Sequence, residues 1–344
     1  MGDGKRHRMV PALERPTVLI HVDLDGLWAV KRVYGLPETS SDMHQDPVYS
    51  LGAARFLDLF SQAQAPATFF VVGRDCEIPE KAALLRCLAE RGHEIANHSY
   101  SHAVGLGRRS AQTIDREIAQ ASDAIQQAVG RRPIGFRAPG FDASPAVLQA
   151  VRRAGLDYDA SLLPTRAGPL LRAAARFLRS SAAQGSSSPA CRRAGVGHYG
   201  SGPVWRAPRA PYRCDPDRPW RSLAGRGSMR SSLLELPVAV TPRLRLPVHA
   251  SIAMAVGWAW ARRALEAALQ SSGTVVYLFH GLDLVGGDEA EGLPGGFVGR
   301  RVFALPYRRK RDFVERSLHL LLSTGDVLLT GSFVERVRQR AADR

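Results

Sequence analysis

The chain has 344 residues, of which 45% are hydrophobic and 23% charged, as is typical of a soluble globular protein large enough to close a barrel. Its net charge of +15, carried mostly by Arg, favours anionic partners, with codon bias as the alternative. The four cysteines form no CxxC pair, which excludes a zinc finger and gives no sign of a disulfide framework.

Apolar, β-rich runs alternate with helical patterns along the chain. Strands are predicted over residues 18–22, 67–73, 93–98, 135–139, 158–162, 233–238 and 274–280. Helices are predicted over residues 51–62, 81–91, 110–129, 144–154, 252–271, 310–323 and 332–340, with a short apolar run at 327–330. Strands that are apolar throughout are typical of parallel sheets buried on both faces. About seven such strand–helix units predict an α/β fold, a regular or distorted (β/α) barrel.

The domain organisation follows from the same patterns. We expect one domain over residues 1–344, with its core at about 16–330. Residues 180–230 are rich in Ser, Pro and Arg and lack apolar periodicity, which predicts a long irregular insertion within that domain.

Polar side chains stand at the carboxyl ends of four predicted strands. Asp23 and Asp25 end the first, and His98, Arg137 and His280 end three others. In a β/α barrel these strand ends meet at one mouth, where sites are built, so we expect the five side chains to converge.

Asp25, His98 and His102 are the candidate metal ligands. One carboxylate and two imidazoles leave a coordination position open, as catalytic zinc requires. Histidines four apart lie on one side of a helical turn, so both can face one ion. The alternative for an isolated HxxxH is a pair of ordinary surface or core histidines. Asp23, beside Asp25, is then free to act as a general base.

Four motifs resemble those of a known family. HVDLDG lies at residues 21–26, HSYSH at 98–102, RAPG at 137–140 and LFH at 278–280. Together they resemble the polysaccharide deacetylases of the NodB-homology type, carbohydrate esterase family 4, over about residues 18–283. The D-x-D form is similar to the branch of formamido-arabinose lipid deformylases, allantoinase-like amidases and certain peptidoglycan deacetylases.

The resemblance implies a distorted (β/α)7 barrel and a bound divalent metal. Zn²⁺ is the expected metal, with Co²⁺, Ni²⁺ or Mn²⁺ as alternatives. The family's fourth motif, an acidic residue with a Trp, has only LELPV around Glu235 as a counterpart, and Glu235 is assigned no role. The proline that often follows the last histidine is also missing, since HGLD stands there.

The predicted chemistry is hydrolysis of an amide without a covalent intermediate. Asp23 takes a proton from water, Arg137 holds the Asp23 carboxylate in its fork, and His280 protonates the leaving nitrogen. Asp283 and Asp142 are candidate partners that orient His280. A backbone N–H near Tyr100 is the expected oxyanion donor, and Asn97 and Ser99 are the expected hydrogen-bond partners of the metal-binding imidazoles.

The predicted substrate-binding residues are Tyr100, Pro139, Tyr212 and Trp205. Tyr212 and Trp205 lie in a stretch that alternates aromatic residues with Arg, which indicates an anionic glycan or a lipid-linked sugar. A basic, solvent-exposed loop is the alternative. No nucleic-acid-binding module is recognised, so nucleic acid is not expected.

The leading hypothesis is a metal-dependent amide hydrolase that deacetylates or deformylates an amino sugar or lipid-linked glycan. One alternative is an allantoinase-like amidase acting on a small amide. The other is a non-catalytic glycan-binding protein on the same barrel, although a binding protein has no need of a base, three ligands, Arg137 and His280 together.

The expected location is cytoplasmic, with peripheral contact to the inner face of the membrane as an option. The amino terminus has no apolar region of the kind a secretory signal needs. The most apolar helical stretch, residues 251–261, is shorter than the roughly 20 residues that span a bilayer. This stretch rests on a membrane surface in one interpretation and is an ordinary barrel helix in the other.

Overall fold

The computed structural model describes residues 16–168, 203–223, 233–293 and 299–343. Its strands are β1 (Thr17–Leu24), β2 (Thr68–Val71), β3 (Glu94–Asn97), β4 (Gly135–Phe136), β5 (Tyr158–Asp159), β6 (Tyr212–Asp215), β7 (Arg218–Ser222), β8 (Leu233–Glu235), β9 (Thr274–His280) and β10 (Asp326–Leu328). Each predicted strand is present, although most are shorter than the apolar run that indicated them.

The helices are α1 (Leu27–Tyr34), α2 (Ser40–His44), α3 (Ala54–Ala63), α4 (Pro79–Glu90), α5 (Ala111–Val129), α6 (Pro145–Arg153), α7 (Ala250–Val256), α8 (Trp258–Ser272), α9 (Tyr307–Thr324) and α10 (Thr330–Ala342). The predicted helix at 252–271 is two helices, because Gly257 has φ +116°, a conformation that ends α7. Helices α1 and α2 had no predicted counterpart.

The sheet is parallel at its centre. Strands β9, β1, β2, β3, β4, β5 and β8 follow one another as parallel neighbours. An isolated parallel bridge joins Val238, just after β8, to Val276 of β9, and Ala239 N donates to the Val276 carbonyl (3.0 Å). The predicted α/β class with a parallel sheet is confirmed. In the described residues, this bridge is the link between the two ends of the run.

A β-hairpin lies in the described part of the insertion predicted at residues 180–230. Strands β6 and β7 pair antiparallel, and β6 pairs antiparallel with β8, so residues 212–222 extend the main sheet. The alternation of aromatic and β-branched residues in this stretch is too weak to predict the hairpin from sequence. The predicted positions 180–202 and 224–230 lie outside the described residues.

The inner side of the sheet is filled from one end by α10. Phe333 and Val334 of this helix pack against Phe70, Tyr158 and other inward side chains. Gly331 N donates to Glu94 Oε2 (2.7 Å), which ties the start of α10 to the start of β3. The amino ends of the strands are therefore covered, and the carboxyl ends remain available for a site.

The two tryptophans of α8 face the protein. Trp258 packs edge-on against Phe313 of α9, and Trp260 also lies against the main core. This packing favours the barrel-helix interpretation of residues 251–261. No helix among the described residues is long and apolar enough to cross a bilayer.

Candidate metal centre and active site

The register of the parallel strands brings the polar residues to one level. Leu24 of β1 is aligned with Val71 of β2, Val71 with Asn97 of β3, and Asn97 with Phe136 of β4. The residues that follow at this edge include Asp25, His98 and Arg137. Neighbouring strands lie about 4.8 Å apart, so side chains at one level meet.

Asp25, His98 and His102 form the metal-ligand cluster found among the described residues. One ligand atom from each lies within 4.8 Å of the others. The Asp25 Oδ1 atom is 3.1 Å from His98 Nε2 and 3.1 Å from His102 Nε2. Such separations are those of ligand atoms around one ion bound at about 2.0–2.2 Å.

The hydrogen bonding of the cluster fits a cation. His98 Nδ1 lies 2.7 Å from the carbonyl oxygen of Arg137, which can only accept, so Nδ1 carries the proton. The lone pair of His98 Nε2 then faces Asp25. The buried Asp25 Oδ1 atom has no hydrogen-bond donor other than the facing imidazoles. The Asp25 oxygen and the free electron pair of His98 Nε2 meet at one point, with His102 Nε2 also 3.1 Å from the oxygen, as a metal site requires.

His98 and His102 do not share a helical turn, which corrects the basis on which they were paired. Residues 98–102 form a loop after β3, in which Ser99 and His102 have left-handed φ values of +62° and +51°. This loop conformation, unfavourable for residues other than glycine, turns both imidazoles toward Asp25.

Glu117 of α5 holds that loop. Its carboxylate accepts hydrogen bonds from Tyr100 N (3.1 Å), Ser101 N (2.8 Å) and Ser101 Oγ (2.7 Å). The N–H groups of Tyr100 and Ser101 therefore donate to Glu117, so the oxyanion donor predicted near Tyr100 would have to be another group. Glu117 was missed because nothing in its helical pattern distinguishes it from a solvated face.

Asn97 and Ser99 do not bond the metal-binding imidazoles. Asn97 Oδ1 accepts from Ser99 N (2.8 Å), and Asn97 Nδ2 donates to the Ile118 carbonyl (2.9 Å) and to Ser122 Oγ (2.9 Å). Ser99 Oγ has no partner. Asn97 thus anchors the loop to α5, and the imidazole of His98 donates to a backbone carbonyl instead.

The Asp25 loop is fixed from the other side by a buried ion cluster. Lys81 Nζ lies 2.7 Å from Asp46 and 2.6 Å from Asp75. Asp46 also accepts from Leu27 N (3.1 Å), the first residue of α1. A Cβ on Gly26 would lie 2.8 Å from a carboxylate oxygen of each aspartate, so only glycine fits between this cluster and Asp25.

Arg137 binds the candidate base, as predicted, but with one nitrogen only. Its Nη1 donates to Asp23 Oδ1 (2.7 Å), Nη2 to His21 Nδ1 (2.6 Å) and Nε to the Ala160 carbonyl (2.8 Å). The fork is shared, so the expected bidentate grip on Asp23 is wrong. The guanidinium is fully buried over the Phe70 ring.

His21 was not singled out in the sequence. Since Arg137 donates to His21 Nδ1, the ring proton is on Nε2, which donates to Thr330 Oγ1 (2.8 Å). Burial, and then the charge of Arg137, lowers the pKa of His21 well below its ordinary value. A neutral His21 therefore links Arg137 to the first residue of α10.

The candidate acid and base are cross-strand neighbours. Asp23 of β1 is aligned with His280, the last residue of β9. Asp23 is buried, whereas the side chain of His280 is 25% exposed. A substrate reaching the mouth thus meets His280 before the residues beneath it.

His280 is oriented through Ser251 of α7. Ser251 Oγ donates to Asp283 Oδ1 (3.1 Å) and lies 3.1 Å from His280 Nδ1. With its one proton on Asp283, the hydroxyl accepts from Nδ1, so a transferable proton on Nε2 of His280 is the second proton of an imidazolium. Asp283 is an orienting partner as predicted, although its own oxygen is 3.9 Å from Nδ1. Asp142 instead accepts from Gly107 N (2.9 Å).

Glu235 and Asp159 form a buried carboxyl pair in register on β8 and β5. Burial, and then the adjacent Asp159, raises the pKa of Glu235 well above its ordinary value. Ser161 N and Oγ donate to Asp159 (2.9 and 2.8 Å), and Leu162 N donates to Glu235 (3.1 Å). The pair thus holds the backbone of residues 159–162 in place, and the Ala160 carbonyl in this segment accepts a hydrogen bond from Arg137 Nε.

The four predicted substrate-binding residues lie in different surroundings. Pro139 starts a short turn directly after Arg137. Tyr100 donates its hydroxyl to Glu77 (2.9 Å). Trp205 is 41% exposed, with the guanidinium groups of Arg206 and Arg166 over its ring.

The prediction that Tyr212 binds substrate is wrong. Its side chain is buried in β6 and its hydroxyl donates to the Pro219 carbonyl within the hairpin. A side chain that is closed off in this way packs the core and has no surface for a substrate.

A search against known families matches residues 45–158 to the family described as polysaccharide deacetylase. The matched segment contains His98, His102 and Arg137. Asp23, Asp25 and His280 lie outside it, so their assignment depends on the geometry above.

Two curated relatives illustrate the similarity. The chain is 27% identical over 143 residues to a peptidoglycan deacetylase of Helicobacter pylori, covering 41% of this chain and 48% of that protein. It is 32% identical over 134 residues to a chitooligosaccharide deacetylase of Bradyrhizobium, covering 38% of this chain and 60% of that protein. The aligned part thus spans less than two thirds of either relative.

Two solved structures share the fold over nearly the whole chain. A Mycobacterium smegmatis protein described as a polysaccharide deacetylase superimposes with a TM-score of 0.56 at 18% identity, covering 97% of this chain and 96% of that one. An allantoinase superimposes with a TM-score of 0.58 at 12% identity, covering 96% and 94%. At these identities the likeness shows the fold alone.

Proposed function

From the match of residues 45–158 to the polysaccharide deacetylase family, we propose that this protein is a metal-dependent hydrolase that removes an acyl group from the nitrogen of an amino sugar. One observation carries the proposal. The Asp25, His98 and His102 ligand atoms converge beside Asp23, which Arg137 binds and which is aligned with His280. Relatives named as deacetylases of peptidoglycan and of chitooligosaccharides support the amino-sugar substrate.

The metal we propose is zinc. Two imidazoles and one carboxylate are a donor set of catalytic zinc sites. When bound, a divalent cation polarises the amide carbonyl and lowers the pKa of a coordinated water toward about 7.

The chain's own residues handle the protons. Asp23 accepts one proton from the attacking water, and Arg137 Nη1 keeps its Oδ1 atom in position. His280 Nε2 gives a proton to the amide nitrogen as the C–N bond breaks, while Ser251 and Asp283 hold the opposite side of the ring. Asp23 then releases its proton to solvent and His280 takes one up from solvent. The products are the free amine and a short carboxylic acid, so hydrogens and charge balance over the cycle with water as the only co-substrate.

For the finer substrate we propose an anionic or lipid-linked glycan. The exposed Trp205 ring, with the guanidinium groups of Arg166 and Arg206 near it, supports this, because aromatic faces stack on sugar rings and Arg pairs phosphate or carboxylate. Comparing turnover of neutral and phosphate-bearing N-acyl sugars by the wild type and by Trp205→Ala tests it. An equal loss on both substrates, or no loss, would count against an anionic substrate.

The test of the base is Asp23→Asn. We expect zinc content to be unchanged, because Asp23 is not a ligand, while acetate release from an N-acetylated chitooligosaccharide falls by about 10²–10⁴-fold. Zinc is measured by mass spectrometry of the purified protein and acetate by a coupled assay. Unaltered turnover in this variant would reject Asp23 as the base.

His98→Ala is the matched variant for the metal. We expect it to lose both zinc and activity, since it removes one of three protein ligands. Allantoin serves as the second substrate, because it separates a sugar deacetylase from a small-amide hydrolase. Turnover of allantoin with none of any N-acetyl or N-formyl sugar would favour the alternative enzyme, and zinc binding without turnover of either would favour a binding protein.

A further inference from the structure

His249 has a buried imidazole with neither nitrogen in a hydrogen bond. The residue is 6% exposed, and both Nδ1 and Nε2 are without a partner. Buried polar groups in folded proteins are nearly always hydrogen-bonded, so an unpaired one indicates a missing ligand or water. Outside the metal cluster, the other such histidine in the described part of the chain is His93, of which only Nδ1 is unpaired.

The position of His249 is at the proposed reaction centre. It is the residue before α7, and its ring centroid is 5.8 Å from that of His280 and 6.3 Å from that of Phe141. Phe141 is the last residue of the turn Pro139–Phe141, which comes shortly after Arg137. Two residues later, Ser251 holds His280. The segment 249–251 thus borders the candidate acid with two side chains, of which Ser251 is paired and His249 is not.

We infer that His249 is a substrate-binding residue that hydrogen-bonds a hydroxyl group of the sugar next to the scissile amide. The inference rests on the proposed function, because it takes His280 as the group that meets the amide nitrogen. In an amino sugar, the carbon beside the one that bears nitrogen carries a hydroxyl. A ring that neighbours His280 is suited to reach that hydroxyl while His280 reaches the nitrogen.

The charge of the ring agrees with a hydroxyl. Burial, and then the charges of His280 and Arg137, together lower the pKa of His249 to about 3. A neutral imidazole offers one donor and one acceptor, and a hydroxyl group offers the complementary pair. A carboxylate or phosphate has only acceptors and would leave one ring nitrogen unpaired.

The test compares His249→Phe with His249→Gln in the zinc-loaded protein, with tri-N-acetylchitotriose as substrate. We expect His249→Phe to raise KM by about 5- to 50-fold with little change in kcat, since one hydrogen bond to bound sugar is lost. His249→Gln keeps a donor and an acceptor, so it should restore most of the loss. A KM within twofold of wild type in His249→Phe, or a loss that glutamine does not reduce, would overturn the inference.

His93→Phe is the matched control. It also replaces a buried, partly unpaired histidine by a ring of similar size, but His93 lies before β3, at the amino end of that strand, and contacts Phe60 and Phe69. We expect its KM and kcat to equal those of wild type. An equal rise of KM in both variants would assign the effect to packing and overturn the inference.

A binding measurement separates this inference from the proposed function. In zinc-loaded Asp23→Asn, the ring NMR signals of His249, assigned by their loss in His249→Gln, are followed as tri-N-acetylchitotriose is added. A saturable shift of these signals supports the inference whether or not the wild type turns the sugar over. Absence of a shift at saturation rejects it, while failure of the wild type to release acetate rejects only the proposed function.

Discussion

At the scale of single residues, the site depends on side chains that hold other side chains. His98 is oriented by a backbone carbonyl of Arg137, Arg137 is divided between Asp23, His21 and Ala160, and His280 is oriented by Ser251. The contacts to His98, His21 and His280 also indicate which ring nitrogen carries the proton. Protonation at the site is thus set by contacts from other strands and helices.

Ser251→Ala tests the orientation of His280. Without the hydroxyl, His280 Nδ1 loses its partner at 3.1 Å and Asp283 loses a donor. We expect kcat for an N-acetylated glycan to fall by about 3- to 10-fold, the worth of one hydrogen bond, with KM unchanged.

The comparison variant is Ser323→Ala, which removes a similar hydroxyl bonded to the Leu320 carbonyl at an exposed position of α9. Its kinetics should match wild type. If Ser251→Ala retains full kcat while Asp283→Asn does not, Asp283 acts on His280 without the serine and the relay is wrong.

At the scale of elements, α5 determines the shape of the metal loop. Glu117 accepts hydrogen bonds from two backbone N–H groups and one hydroxyl of residues 100–101. The Ile118 carbonyl and Ser122 Oγ accept hydrogen bonds from the side chain of Asn97. These contacts stabilise the left-handed Ser99 and His102, whose conformation costs about 1–3 kcal/mol each when unsupported. The helix therefore holds two ligands although it supplies neither.

Glu117→Gln should weaken metal binding while the fold persists. The glutamine oxygen can still accept from the two backbone N–H groups, but its NH₂ cannot accept from Ser101 Oγ, and all three contacts lose the charge of the carboxylate. We expect the zinc dissociation constant to rise by about 10- to 100-fold, as for other groups behind metal ligands. Competition with a chromogenic chelator measures it.

Glu77→Gln is the control for this effect, because Glu77 contacts the same loop only through the exposed Tyr100 hydroxyl. Its zinc affinity should stay within twofold of wild type. Equal weakening in both variants would mean that loss of acidic charge, and not loss of the loop contacts, lowers the affinity.

At the scale of the whole molecule, the two ends of the parallel strands have different surroundings. The amino ends are packed with apolar side chains and closed by α10, and the carboxyl ends hold the buried charges of Asp23 and Arg137. Buried charges are costly without partners, and here they are paired. Stability and chemistry are therefore served by opposite ends of one sheet.

The stability of the closed end should depend on pH through His93. Burial among Phe60 and Phe69 lowers the pKa of His93 to about 4, whereas the unfolded chain has the ordinary value of 6.5. The unfolded state thus binds more protons between these values, and the stabilisation present above pH 6.5 is lost as pH falls toward 4.

We expect His93→Phe to remove this loss, so that the stability difference between variant and wild type grows as pH falls from 6.5 to 4, by at most about 1.4 kcal/mol per pH unit. Urea unfolding of both proteins at several pH values measures it. Parallel curves over this range would show that His93 is protonated as easily in the folded state as in the unfolded one.

Much of the architecture was predictable from local pattern. Apolar runs ending in Asp23, His98, Arg137 and His280 predicted both the parallel strands and the edge where their polar ends meet. The hairpin at residues 212–222 and the break at Gly257 were not predictable. The first has mixed polar and aromatic residues, and the second depends on a backbone angle that a single glycine within an apolar pattern does not reveal.

The sequence alone determined which residue types end the buried strands, because burial and alternation are local properties that composition and spacing record. Only the tertiary structure decided how these ends are connected. Asp23 meets Arg137 across 114 positions, and Ser251 meets His280 across 29. Glu117, His21 and His249 carry no local signal, since their surroundings come from strand register and helix packing that bring distant segments together. The hydrophobic periodicity of a segment indicates which face of a helix or strand a residue occupies. Which side chain it contacts on that face depends on the folded structure.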